Sequence, residues 1–183
     1  HDWSGALGKV AGFERVTSTP APRIDPFNEL YIRSWRDCAR YAGSDLLCYR
    51  AEEPHRLVER QSLHWDPVLA WAKDTHGWRF TLAGGVVHVA QPEETLSSVH
   101  AHLHAIIDPL RLSALHVVTT MTGSVLLALS LAEGAFGPTS IWNAAHVDED
   151  VQMEIWGQDT EALERRAHRE IEFRAAATIL AGF

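Results

Sequence analysis

Residues 112–132 read LSALHVVTTMTGSVLLALSLA, a run without a single Asp, Glu, Lys or Arg. As one helix it is long enough to cross the hydrocarbon core of a bilayer. Polar side chains interrupt it, however, at His116, Thr119, Thr120, Thr122, Ser124 and Ser130, with Gly123 among them. Its flanks carry neither an aromatic belt nor a basic cluster, which membrane-spanning helices use as interfacial anchors. A helix buried on all sides within a bundle leaves the same trace. The run therefore predicts a long apolar helix, opened by Asp108-Pro109 and ended by Gly134, at the centre of a soluble helical bundle, with no stable membrane insertion.

The neighbouring segments suit that centre. Upstream, Phe27, Leu30, Tyr31, Trp35, Cys38 and Ala39 recur at helical spacing, and "AGSD" then punctuates the chain. A second helical stretch is expected from about Asp45, interrupted at Pro54, which removes a backbone donor. Residues 57–76 continue helical, with Asp66 expected to cap a new turn at Pro67. Around Ala83-Gly84-Gly85 the pattern alternates apolar and polar, which predicts a β-hairpin with strands 78–82 and 86–90. A helix follows Pro92, with Leu96, Val99, Leu103 and Ile106 as its inner stripe. Beyond the apolar helix, one helix is expected from Pro138 to Trp156 and a last one from Asp159 or Thr160 almost to Phe183. The fold class is a mainly α-helical bundle carrying one small β-hairpin.

Composition bounds the function. In 183 residues, 46% are hydrophobic and 22% charged, values that suit a folded globular domain. A net charge of −8 opposes binding to nucleic acid or to an anionic membrane, both of which call for a basic face. The two cysteines, Cys38 and Cys48, read as free thiols in a reducing compartment. The first two dozen residues, rich in Gly, Pro, Ser and Thr, read as an extended arm. They show no secretory pattern, and without an initial Met they suggest a chain beginning inside a longer protein.

No catalytic constellation assembles. His100 and His104 share a helix face, as two zinc ligands would, and a metal-dependent hydrolase completed by His88 or His116 is the enzyme alternative. No glutamate lies between them as in zincins, so histidines flanking a core stripe are preferred, and no metal or cofactor is expected. Cys48 follows Leu46 and Leu47, which favours a buried structural thiol over a nucleophile. Glu52 and Glu53 are adjacent and would diverge on a helix by about 100°. The segment 141–157, IWNAAHVDEDVQMEIWG, carries a stripe of Trp142, Ala145, Glu149, Gln152 and Trp156. Such a stripe fits a partner-binding face, because Trp is enriched at interface hot spots. It equally fits an amphipathic helix whose tryptophans pack in the core, and pattern alone does not separate the two.

Several stretches together resemble one family: SDLLCYRAEEP (44–54), LVERQSLHWDPVLAWA (57–72), GGVVHVAQP (84–92), DPLRLSALH (108–116), TGSVLLALSLAEG (122–134) and DEDVQMEIWG (148–157). They resemble the alpha-subunit assembly chaperones of the F-type ATP synthase catalytic head, the Atp-twelve family. The resemblance runs in order from about Asp45 to the C-terminus; before it, only "RID" and "ARYAGSD" align. It implies a monomeric chaperone, not an enzyme, in the bacterial cytoplasm or the mitochondrial matrix. Such a chaperone binds the unassembled alpha subunit and shields its beta-facing surface. It further implies two parts: residues 1–44 as an arm and first helix linking to the family's β-rich N-terminal domain, and 45–183 as the helical chaperone domain. Counting the β-rich domain, the whole would be α+β. By position, the family's functionally important acidic region falls on Asp148, Glu149 and Asp150. Glu149 is the first choice for partner binding, with Glu154 second and Gln152, Trp156, Trp142 and Asp148 beside them. Cys48, Tyr49, Arg50, Glu53, Pro54, Trp65, Asp66 and Pro67 form the structural signature, in which Arg50 is expected to pair with Glu53 or Glu52. Ile155 stands where a polar residue is more usual in the family.

Overall fold

The computed structural model describes residues 26–182 except Val86. The predicted N-terminal arm lies outside the described residues. Those described form eight α-helices: α1 (Pro26–Ala42), α2 (His55–His76), α3 (Glu93–His104), α4 (Pro109–Thr122), α5 (Val125–Ala132), α6 (Pro138–Ala145), α7 (Val147–Trp156) and α8 (Thr160–Ala181). Two short strands, β1 (Tyr49–Arg50) and β2 (Ala83–Gly84), complete them. This is the mainly helical fold with a small β element that the sequence predicts.

The charge-free run is two helices and not one. Gly123 adopts φ 71°, a left-handed conformation that glycine reaches without steric penalty, and closes α4. Ser124 then caps α5, its hydroxyl accepting from the Leu127 N–H at 3.0 Å. Among the described residues no helix is long and apolar enough to cross a membrane. Helix α5 is buried at every position from Val125 to Leu131. Around it and α4 pack the inner faces of α1 (Cys38, Ala42), α2 (Trp65, Val68, Ala72), α6 (Ile141, Trp142) and α8 (Phe173, Ala177, Leu180).

Asp45 joins the first third of the chain to this centre. It is fully buried, and its two carboxylate oxygens accept from the Leu47 and Leu126 N–H groups, each at 3.1 Å. One side chain thus caps both the turn that follows it and the N-terminus of α5. The Leu46 N–H reinforces the joint by donating to the Gly123 carbonyl at 3.1 Å.

Residues 46–50 are a 3₁₀ turn (Leu46–Cys48) running into β1, where the sequence suggests an α-helix. The β element differs too: β1 and β2 pair in parallel, Tyr49 with Ala83 and Arg50 with Gly84. No second strand is needed beside residues 79–81, because side chains fill its role. Gln91 accepts from the Thr81 N–H at 2.8 Å and donates to its carbonyl at 2.9 Å, and the Thr95 hydroxyl serves Arg79 in the same way. Pro67 lies inside an unbroken α2, and Asp66 does not cap a turn there. Its carboxylate instead accepts from Arg50 Nη2 at 2.5 Å. Arg50 therefore pairs with Asp66 rather than with Glu52 or Glu53. It also donates to the Leu47 carbonyl at 3.1 Å and lies 5.3 Å from the centre of the Trp65 ring. The expected helix 138–156 is likewise broken, at His146, into α6 and α7.

Candidate functional site

Helix α7 presents two faces, which separates the residues singled out in its sequence. Asp148 and Glu154 face α2: Gln61 donates to Asp148 at 2.9 Å, while Arg56 and Arg60 donate to Glu154 at 2.5 and 3.0 Å. Their carboxylates join two helices of the scaffold. Glu149, Gln152 and Trp156, spaced three and four apart, face α8. With Met153, Ala162, Arg165, Arg166 and Arg169 they line an open groove of about 450 Å³. Gly157, at φ 94°, ends α7, and Asp159 accepts from the Glu161 N–H to start α8 one turn later.

Trp142 is not on this face. The break at His146 rotates α6 relative to α7, so the stripe expected from Trp142 to Trp156 is not continuous. Trp142 is buried, its ring 5.1 Å from Phe173 and 4.0 Å from the His146 ring. His146 is buried with it and donates from Nδ1 to the Trp142 carbonyl at 2.8 Å. Burial pushes its pKa below the ordinary histidine value, so the ring remains neutral at pH 7. Helical periodicity placed Trp142 and Trp156 on one stripe because the break leaves only a weak trace, a histidine between two apolar residues.

The groove has one basic wall and one mixed wall. Arg166 pairs with Asp150, Arg165 with Glu161 within α8, and Arg169 donates to the Met121 carbonyl at 3.0 Å. At its rim Trp156 is 84% exposed, and the neighbouring Ile155 is 48% exposed. A tryptophan left this open gives up the burial free energy of a large aromatic surface. Glu149 and Gln152 beside it are exposed as well.

The enzymatic candidates do not converge. His100 bonds the Ala39 carbonyl at 3.2 Å, and His104 lies against Trp35 with ring centres 4.0 Å apart. His116 pairs with Asp37 and His88 with the Tyr49 hydroxyl, each at 3.2 Å. Both thiols are free and fully buried. Burial pushes Cys38 up to about 11, and burial together with the nearby Asp45 charge pushes Cys48 up to about 12. A thiol reagent at pH 8 is therefore expected to leave both cysteines of the native chain unmodified while labelling both in denaturant. Intact-mass measurement decides this, and rapid labelling of native Cys48 would contradict the burial described.

Fold and site together define a helical scaffold with buried thiols and an aromatic-edged groove between its last two helices. The family model described as ATP12 chaperone protein matches residues 27–73, beginning upstream of the sequence resemblance near Asp45. The crystal structure of the Atu1473 protein from Agrobacterium tumefaciens is similar at TM-score 0.80 and 47% identity, covering 86% of this chain and 59% of that one. Atp12 from Paracoccus denitrificans is similar at TM-score 0.80 and 30% identity, covering 86% and 67%. An aspartate-to-lysine mutant of the Paracoccus protein gives 0.79 and 30%, covering 84% and 65%. This chain belongs to the ATP12 chaperone family, and it spans 59% of the length of the Agrobacterium relative.

Proposed function

We propose that the protein is a non-catalytic chaperone of ATP synthase assembly that binds the unassembled alpha subunit and shields its beta-facing surface. The observation that carries this reading is family membership, joined to the exposed Trp156 at the rim of the α7–α8 groove. An unassembled subunit exposes apolar interface that aggregates unless covered. A rigid helix edge bearing an open aromatic side chain beside polar groups has the anatomy of a hot spot with its rim. Glu149 and Gln152 supply the polar contacts and Trp156 the apolar anchor. Asp148 and Glu154 hold α7 against α2 and act on the partner only through the position of that helix. On this reading the chaperone works as a monomer in the bacterial cytoplasm or the mitochondrial matrix.

Affinity of the chain for isolated alpha subunit, measured in wild type and in Trp156→Ala and Glu149→Lys, tests the site. Both side chains are exposed, so the variants are expected to fold and melt as wild type does. Each is expected to weaken binding by about 30-fold or more, the effect of losing a hot spot of about 2 kcal/mol. Folded variants that bind as tightly as wild type would move the site away from α7–α8 and leave the function standing.

A further inference from the structure

We propose that His76, His102 and Glu133 form a binding site for one zinc-class divalent cation, which pins together the ends of three helices. The three residues are far apart in sequence and meet only through packing. Their ligand atoms all lie within 4.8 Å of one another. Both imidazoles turn Nε2 to the one carboxylate, His76 at 3.0 Å from Oε2 and His102 at 2.9 Å from Oε1. In a tetrahedral zinc site with bonds of about 2.0–2.1 Å, neighbouring ligand atoms lie about 3.3 Å apart. Each histidine–glutamate pair is thus within a few tenths of an ångström of that spacing, and the two imidazoles, whose ligand atoms lie within 4.8 Å, close on a shared ion by at most about 1.5 Å.

The rings are oriented in advance. His76 stacks on buried Trp78 with ring centres 4.1 Å apart, and His102 meets the edge of the same ring system at 5.3 Å. Trp71 stands edge-on to His76 at 5.1 Å, and the Trp78 indole is itself held by a bond to Ser98 at 2.9 Å. Ligands fixed by their surroundings lose little freedom when they bind, which favours a metal.

The local field has the sign a cation needs. His76 lies in the last turn of α2, His102 in the last turn of α3, and Glu133 is the C-cap of α5. Three helix C-termini, each carrying partial negative charge, thus converge on the trio. Arg111, which lines the adjoining pocket, donates to the Ala132 carbonyl at 2.9 Å. Beside His102 and Glu133 opens a pocket of about 250 Å³, which leaves room for water at a fourth coordination position. With three protein ligands the site differs in place and membership from the His100 and His104 pair that the sequence suggests.

Calorimetric titration of the full 183-residue chain with zinc chloride tests the site, alongside imidazole ¹⁵N spectra of the same protein. One equivalent of zinc is expected to bind, shifting the Nε2 resonances of His76 and His102 and leaving His100 and His104 in place. His102→Gln and Glu133→Gln are expected to lose at least about 100-fold in affinity, more than supporting residues around a metal usually contribute. A His100→Gln/His104→Gln double variant is expected to bind as wild type does. Absence of stoichiometric binding would overturn the proposal and leave a proton-bridged clamp of two histidines and a glutamate. Zinc that shifts other histidines would overturn it equally. The spectra of the wild type decide even if a variant fails to fold.

Discussion

Replacing Trp65 by alanine is expected to destabilise the protein by about 4 kcal/mol, within the usual range for emptying a buried aromatic site. Trp65 is 1% exposed and heads the fully buried side chains in size. Its Nε1–H donates to the Ala144 carbonyl at 2.7 Å, joining α2 to the end of α6. Alanine leaves a cavity and an unpaired carbonyl and removes the ring beside the Arg50 guanidinium. In a domain of this size the loss lowers the melting temperature by roughly 10 °C. Trp65→Phe fills most of the cavity and loses the hydrogen bond, so about 2 kcal/mol is expected there. Denaturant titration of the three proteins measures both steps. An alanine variant within 1 kcal/mol of wild type would contradict the central place given to Trp65.

Asp45 carries the second large effect. Asp45→Ala leaves the Leu47 and Leu126 N–H groups buried without their acceptor, at an expected cost of about 3 kcal/mol. The wild-type residue also makes stability depend on pH. Burial raises its carboxyl from 3.8 to about 6, against hydrogen bonds from Ser124, Leu126 and Leu47 that favour the anion. The folded chain therefore holds this proton more tightly than the unfolded chain does. The resulting contribution is fully present below about pH 4 and is lost as pH rises through 6, by an amount on the order of 3 kcal/mol. Asp45→Asn removes the titration. The stability of wild type relative to Asp45→Asn should accordingly fall between pH 4 and 7, and a relative stability that rises over that window would contradict the buried position of Asp45.

Much of the helical frame is legible where local chemistry marks a boundary. Asp108-Pro109 opens α4, Asp159 caps α8, and Gly157 separates the last two helices. The internal breaks were harder to read. Gly123-Ser124 has the residues of a C-cap followed by an N-cap, but it sits inside an apolar run whose hydrophobicity dominates the pattern. The acceptor that stabilises α5 beyond this break is Asp45, and no local window contains it. Similarly, alternation in residues 78–90 is compatible with a hairpin. Gln91 and Thr95 satisfy the backbone there in its place, a distinction that periodicity does not carry.

The α7 residues show the same division. Glu149, Gln152 and Trp156 share a face because they lie within one helix, and their spacing alone is sufficient to show it. Trp142 left that stripe because the chain turns at His146. Asp148 and Glu154 found their partners on α2, which no short window reveals. His76, His102 and Glu133 come from three helices whose ends meet only when the bundle has closed. Their sequence spacing matches no metal motif, so geometry alone brings the group to notice.

The central claim is tested most directly by mixing the wild-type chain with isolated alpha subunit and, separately, with isolated beta subunit, and following light scattering and complex formation. A one-to-one complex with the alpha subunit and suppression of its aggregation at equimolar chaperone are expected, with no complex with the beta subunit. An alpha subunit that aggregates at the same rate in the presence of the folded chain, and elutes without it, would contradict the proposed function.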